Sequence, residues 1–384
     1  MMGLWGFADG AYGSFWVIYL TSVAGFTLSQ IGLFQLLFFY SLAFLDFPLG
    51  GFADRYGRRF TLRIGYLLMA VGYYLLLLAS IPTIFTAGLL LGASNALVTG
   101  TLEAWIVDAL GTREEATLGK VFGRGEAIHT AGMLIAGPVG MLLVAIGGLQ
   151  AVFSAVLAAA VGKLLVTVIM VENYGGKAAS YVDTLREGLR LVGGSRLLQT
   201  YLVASLLSGT WASHFLLLWQ PVLVDLGLRK AYLGPVYTLL LATMSVSSYL
   251  SGRVMGRLKP STVLALASAV SSACLALLAV GPRHLLAYMA LFAGLEASLG
   301  LSLPAGAVWR NAHLPSEVRA TVLSLFSTAS SLAIGAYYCV AGLLAERIGM
   351  HTSFLVPLAL AATSALLYYS LSLRNPYLES REPT

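Results

Sequence analysis

Apolar residues arrive in long runs along this chain, and polar residues gather in the gaps between them. A run of about 20 apolar residues is long enough to cross a bilayer as a helix. Twelve runs qualify, at 3–25, 30–53, 61–80, 83–110, 120–147, 149–171, 197–226, 230–252, 260–281, 284–310, 320–345 and 351–372. The pattern predicts an all-α integral membrane fold with twelve transmembrane helices. The first run starts almost at Met1, without a basic segment or a small-residue cleavage site, so it is expected to stay as the first span. One long polar interruption covers 172–196. Within it Val182, Leu185, Leu189 and Val192 recur at helical spacing among Asp183, Arg186, Glu187 and Arg190, and Ser180 with Asp183 resembles a capping box. An amphipathic helix on the cytoplasmic surface is expected there. It separates a six-helix bundle, 1–171, from a second bundle with a short tail, 197–384.

Composition narrows the function. Of 384 residues, 58% are hydrophobic and 10% charged, where a soluble domain carries roughly 25% charged residues. A soluble enzyme and a disordered chain are both excluded. The net charge of +6 invites a nucleic-acid reading until the basic residues are placed. Eighteen fall in the connections after even-numbered spans or in the tail, against four (Arg229, Lys230, Arg283 and Arg347) on the other side. The positive-inside rule then puts both termini in the cytoplasm and the protein in the cell's inner (plasma) membrane. The charge is topology, and nucleic acid is not a partner. Lys163 remains inside span 6, where snorkelling or pairing is expected. Cys274 and Cys339 lie far apart in apolar runs, without metal spacing, and read as small packing residues.

The two halves repeat faintly. At an offset of 202, Gly32 falls on Gly234, Gly50 on Gly252 and Arg55 on Arg257; at 204, Trp105 falls on Trp309 and Phe122 on Phe326. Two pseudo-symmetric six-helix bundles are an architecture of secondary transporters. The loop after span 2 reads Gly50-Gly51-Phe52-Ala53-Asp54-Arg55-Tyr56-Gly57-Arg58-Arg59. It resembles the G-x-x-x-D-R-x-G-R-R loop of the major facilitator superfamily. Thr101-Leu102-Glu103-Ala104-Trp105-Ile106-Val107-Asp108 and Pro315-Ser316-Glu317-Val318-Arg319-Ala320-Thr321 are similar to sequences common in its bacterial branches. The resemblance covers the whole chain. It implies a conformational latch built from Gly50, Asp54, Arg55, Gly57, Arg58 and Arg59, with Asp108 as the helix-4 acid that joins it. In the second half Gly256 stands where that aspartate would be. Span 5 carries Gly132 and Gly137-Pro138-Val139-Gly140, similar to the G-P-x-x-G-G pattern of the drug:proton antiporter branches, although Met141 and the early Gly140 depart from it.

Ionisable groups inside a bilayer are costly, so they are candidates for function. Asp46, Glu103, Glu126 and Lys163 each fall roughly 12 Å deep at 1.5 Å of rise per residue, Asp9 shallower and His129 near mid-membrane. Glu103, Glu126, Asp46, Asp9 and His129 are the candidate proton-coupling groups, with ion pairs to Arg124 or Lys163 as the structural alternative. Asn95, Thr99 and Glu103 form a polar stripe at i, i+4, i+8, while Asp108 lies about 140° around the helix. In the family, spans 1, 4, 7 and 10 line the cavity. Candidate substrate contacts are Asn95, Thr99, Trp16, Tyr19, Trp211, His214, Gln220 and Glu296.

No G-x-x-x-x-G-K-[ST], HExxH or G-x-S-x-G occurs, so neither ATP-driven nor hydrolytic chemistry is indicated, and no cofactor or metal is expected. The reading is a secondary active transporter working by alternating access, a lipid-embedded monomer that moves a hydrophobic or cationic small molecule outward against protons. Proton-coupled uptake of a small organic solute is the alternative. A membrane sensor or enzyme ranks below both.

Overall fold

The computed structural model describes residues 1–49, 52–111, 114–174, 181–281, 284–315 and 319–373, and every element among them is helical. In chain order these are α1 (Met2–Ser22), α2 (Leu28–Leu49), α3 (Phe52–Tyr56), α4 (Arg58–Leu77), α5 (Ile81–Val98), α6 (Thr101–Leu110), α7 (Glu115–Ile169), α8 (Tyr181–Gly194) and α9 (Arg196–Asp225). After a 3-10 turn at Lys230–Tyr232 come α10 (Leu233–Met255), α11 (Pro260–Val280), α12 (Leu285–His313), α13 (Arg319–Ile348), α14 (Met350–Ser353) and α15 (Leu355–Leu373). Only helices satisfy their own backbone groups in lipid without a sheet partner, which is why apolar runs of this length take this form.

Ten helical stretches among the described residues are long and apolar enough to cross a membrane. One of them, Ala116–Ile169, makes two crossings. It doubles back at Gly147–Gly148, so that Ile128 and Gly162 both reach the start of α1, at Gly3 and Leu4. Gly148 sits at φ +69 and ψ −168, a conformation open to glycine alone. The 21 residues of α1, diluted by glycine and aromatic side chains, still span about 31 Å. Twelve crossings result. The fourth differs from the single run the sequence predicts: α5 ends at an extended Thr99, Gly100 turns to φ +76, and α6 starts afresh. Ser80 with Thr83 forms a capping box ahead of α5, and Pro82 fits its first turn.

The chain forms two compact units. The first comprises Met1–Ala179, Leu217–Leu239 and Gly335–Glu346; the second comprises Ser180–Leu216, Leu240–Ile334 and Arg347–Thr384. In the first, α1 runs along α7 with almost no side chain between the two backbones. A methyl on Gly6 would collide with the His129 carbonyl, one on Gly10 would lie 2.8 Å from Ala136 Cβ, and one on Gly132 would lie 2.7 Å from the Gly3 carbonyl. Lipid tails supply no hydrophobic drive between helices, so association rests on such close packing. The same unit holds Gly137 against Gly234, with Thr238 Oγ1 donating to the Leu134 carbonyl at 3.0 Å. The second unit packs around Tyr201, stacked on Trp309 at 4.0 Å between ring centres and flanked by Phe326 and Tyr368. Its α8 lies in the polar interruption and rests Gly188 on Thr321. Ser180, the expected cap of α8, lies outside the described residues.

Candidate functional site

The glycine seam fixes one side-chain cluster. Because Gly6 and Gly10 let α1 touch α7, the residue between them, Asp9, brings Oδ2 to 3.3 Å from His129 Nε2. One turn before His129 on α7, Glu126 Oε1 lies 3.8 Å from His129 Nδ1. That Nδ1 is buried and has no hydrogen-bond partner among the described residues. The imidazole thus stands between two carboxyl groups, hydrogen-bonded to one and a short side-chain rotation from the other. The ring is mostly covered (17% exposed), while Asp9 (41%) and Glu126 (73%) are open. Trp5, one turn from Asp9, meets the His129 ring edge to face at 6.1 Å.

Two cavities in the first unit meet at Trp5 and Asp9. The larger, about 710 Å³, is lined by Asp9, Thr99, Gly100, Glu103, Glu126 and His129 among others. The smaller, about 330 Å³, continues from Trp5, Asp9 and Thr99 to Tyr12, Gln35, Phe38, Tyr73, Asn95 and Tyr338. Organic ligands occupy cavities of roughly 300–1,000 Å³. The α5–α6 break supplies part of the wall, where Thr99 Oγ1 donates to Asn95 Oδ1 at 2.9 Å and Glu103 stands in the first turn of α6. Neither Arg124 nor Lys163 comes within ion-pair distance of Glu103 or Glu126 among the described residues. The structural ion pairs allowed by the sequence are therefore not formed.

Asp108 leaves Glu103 behind, as the helical angle between them requires. It pairs with Arg58 Nη1, which also donates to the Ala104 carbonyl at 2.7 Å. Arg59 reaches the other side, giving Nε to the Thr167 carbonyl (3.1 Å) and Nη2 to the Val168 carbonyl (3.0 Å). Glu172, which sequence reasoning passed over, accepts from the backbone N–H groups of Arg59 (2.8 Å) and Phe60 (3.2 Å), capping α4 where its dipole favours an anion. Its only signal in the sequence is an acid directly after span 6. Arg55 lies over the Tyr56 ring at 5.3 Å, and Gly57 turns at φ +99. Gly50 and the side chain of Asp54 lie outside the described residues.

The remaining candidates scatter. Asp46 is half-buried on α2 and lines neither of the two cavities. Trp16 is buried, its ring stacked on Tyr12 at 6.1 Å and edge-on to Tyr338 at 6.3 Å. Tyr19 stacks on Phe153 at 3.8 Å and donates its hydroxyl to the Leu76 carbonyl, so it is a packing residue in this structure. Gln220 does not face a cavity either. Its Oε1 accepts from Val17 and Ile18 N–H (3.1 and 3.0 Å), and its Nε2 donates to the Gly13 carbonyl at 2.8 Å, so its amide is spent on the α1 backbone. In the second unit Trp211, His214 and Glu296 are all buried, and His214 Nε2 bonds Ser353 Oγ at 2.9 Å. Lys163 corrects the snorkelling expectation. It is 1% exposed, and its ammonium sits on the Met69 sulfur at 3.0 Å and over the rings of Trp5 and Tyr66.

Comparison with known proteins agrees with this architecture. An MFS-type transporter of Bacillus subtilis (strain 168), YxaM, named as uncharacterized, is 22% identical over 379 residues, covering 94% of this chain and 92% of that one. Among solved structures, the nucleoside transporter NupG superposes with a TM-score of 0.82 at 12% identity, covering 97% of this chain and 98% of its own. A D-xylose-proton symporter gives 0.70 at 14% identity, with 96% of each chain covered. Both likenesses show the shared fold of twelve membrane helices in two pseudo-symmetric six-helix bundles. The family model of the Major Facilitator Superfamily matches residues 1–301 and 200–384, and the chain belongs to this superfamily of membrane transporters.

Proposed function

We infer that the protein is a proton-coupled secondary transporter working by alternating access, and that it exports a hydrophobic or cationic small molecule in the manner of drug:proton antiporters. The supporting observation is one cluster, Asp9–His129–Glu126, on the wall of the 710 Å³ cavity, with Glu103 on the same wall. An imidazole takes up and releases protons near neutral pH, and two flanking carboxyl groups offer its proton two exits. Protons load at Asp9, His129, Glu126 and Glu103. Substrate is held by the aromatic wall of the smaller cavity, with Asn95 and Thr99 as its polar contacts. An open carboxylate among aromatic rings suits an organic cation. Arg58 with Asp108 serves as a latch that breaks and reforms during the cycle.

The protein acts as a monomer embedded in lipid of the inner (plasma) membrane, with both termini cytoplasmic. It is divided into bundle 1–171, linker 172–196 and bundle 197–384. Asp46, Trp16, Tyr19, Trp211, His214, Gln220 and Glu296 take no part in this reading, because each lies outside the two cavities. Proton-coupled uptake is the second reading. It is favoured by a solved neighbour that is a D-xylose-proton symporter and by the hydrogen-bonding groups Gln35, Asn95 and Thr99 in one cavity.

A thermal-shift screen of the purified protein at about pH 5.5 and about pH 7.5, on either side of the histidine range, finds ligands whose binding displaces protons. The ligand found is then followed in proteoliposomes under an imposed pH gradient. Export by antiport moves it against the proton flow and uptake moves it with the flow. Flux indifferent to the gradient ends the proton-coupled reading.

A further inference from the structure

Lys163 is the most deeply buried charged side chain among the described residues, and neither the motifs nor the ion pairs account for it. It sits on the second pass of α7, and its ammonium is enclosed by Trp5 of α1 with Tyr66 and Met69 of α4. The ring centres lie at 5.9 and 5.7 Å and the sulfur at 3.0 Å. Among the described residues, the Met69 thioether is its one hydrogen-bond acceptor, and a thioether is a weak one. Aromatic faces attract a cation, but less than water does, so a buried ammonium needs an anion within electrostatic reach. Asp9 is the acid on α1, the helix that supplies Trp5 to the cage. Trp5 bridges the two groups. It lies one turn from Asp9 on α1, and its ring centre is 5.9 Å from the Lys163 ammonium and 6.1 Å from the centre of the His129 imidazole.

We propose that Lys163, held in the cage of Trp5, Tyr66 and Met69 on the α1 face that carries Asp9, is a positioning residue that sets when the Asp9–His129 pair takes its proton. This rests on the proton-coupled reading above. The other groups facing the pair are Glu126 on α7, Tyr66 and Tyr73 on α4, Tyr12 on α1 and Glu103 on α6 across the cavity. Of these neighbours, Lys163 alone carries a positive charge. A fixed cation inside a low-dielectric wall opposes the arrival of a proton and favours the carboxylate. The pair therefore loads only when protons are abundant on the side to which the cavity opens, and it unloads cleanly on the other. Without Lys163 the pair holds its proton too well and coupling slips.

The test uses the purified full chain in detergent, with Trp fluorescence followed against pH, because an imidazolium quenches an adjacent indole. The wild type shows a transition that Trp5→Phe removes, which assigns it, and that His129→Gln removes with Trp5 in place. Lys163→Met moves the midpoint upward by roughly one pH unit, the scale expected for removing a nearby charge. Lys163→Gln moves it likewise, and Lys163→Arg leaves it near the wild-type position. An unchanged midpoint in both neutral variants, or an equal shift in the arginine variant, overturns the role of Lys163 and leaves the His129 reading intact. A wild type with no transition, or one that survives His129→Gln, overturns the His129 reading itself.

Discussion

A carboxyl group and an imidazole 3.3 Å apart share a proton more readily than either would hold it alone, and the open face of Asp9 lets water or substrate reach that proton. Asp9→Asn keeps the shape and removes the charge. It is expected to leave ligand-driven exchange between equal concentrations running while abolishing accumulation driven by a pH gradient, as measured in proteoliposomes. Loss of both would make Asp9 a structural residue. Glu103→Gln is expected to lower proton-driven flux at least tenfold with little change in melting temperature, because no ion pair holds Glu103 in place among the described residues. Full flux would remove it from the proton path. These acids were legible because a charge inside an apolar run has no topological excuse. The environment of Lys163 was not legible. Its cage joins residues 5, 66, 69 and 163, three spans whose relative register no periodicity encodes. Gln220 failed for a related reason: it read as a candidate substrate contact, yet the α1 backbone consumes its amide.

Helices in this protein are positioned by what their side chains lack. The α1–α7 seam places Asp9 against His129 only because Gly6, Gly10 and Gly132 add nothing between the backbones. Gly10→Val drives a branched side chain into Ala136 and Met133 and is expected to cost about 1–3 kcal/mol of stability, as overpacking does. It also separates the pair, so the Trp5 fluorescence transition disappears with it. Gly123→Ala, where a methyl meets nothing within 4 Å, serves as the control and is expected to melt at or slightly above the wild-type temperature. A lowered melting temperature in both would mean that a side chain added to either helix destabilises wherever it is placed, against the gain helix propensity predicts, and would leave the seam no cost of its own. The break between α5 and α6 was predicted as one span because Thr99 and Gly100 lie inside an unbroken apolar run. Hydropathy counts side chains and is blind to the backbone angles a glycine permits. Glu172 escaped for the same kind of reason: its role as the cap of α4 depends on two chain segments meeting, and composition records neither.

Across the whole molecule, the distribution of basic residues makes a claim that can be tested apart from any substrate. The number of spans was legible because bilayer thickness sets one length and the chain repeats it. The sidedness rests on the count of eighteen basic residues against four. With Cys274 and Cys339 first replaced by serine or alanine, single cysteines at Arg55 and Arg257 should stay unreactive toward a membrane-impermeant maleimide in intact cells and react after permeabilisation. A cysteine at Lys230, in the connection before α10, should react in intact cells without permeabilisation. The three positions discriminate between models, because losing one span between Arg55 and Arg257 would put them on opposite sides and losing two would not. Arg257 labelling from outside while Arg55 stays protected would mean an odd number of crossings between them, placing the error between α4 and α10. Reversal of all three would invert the protein in the membrane. The acid cluster would then face the other compartment at each step of the cycle, while the direction of transport would still follow from the proton gradient and the antiport coupling.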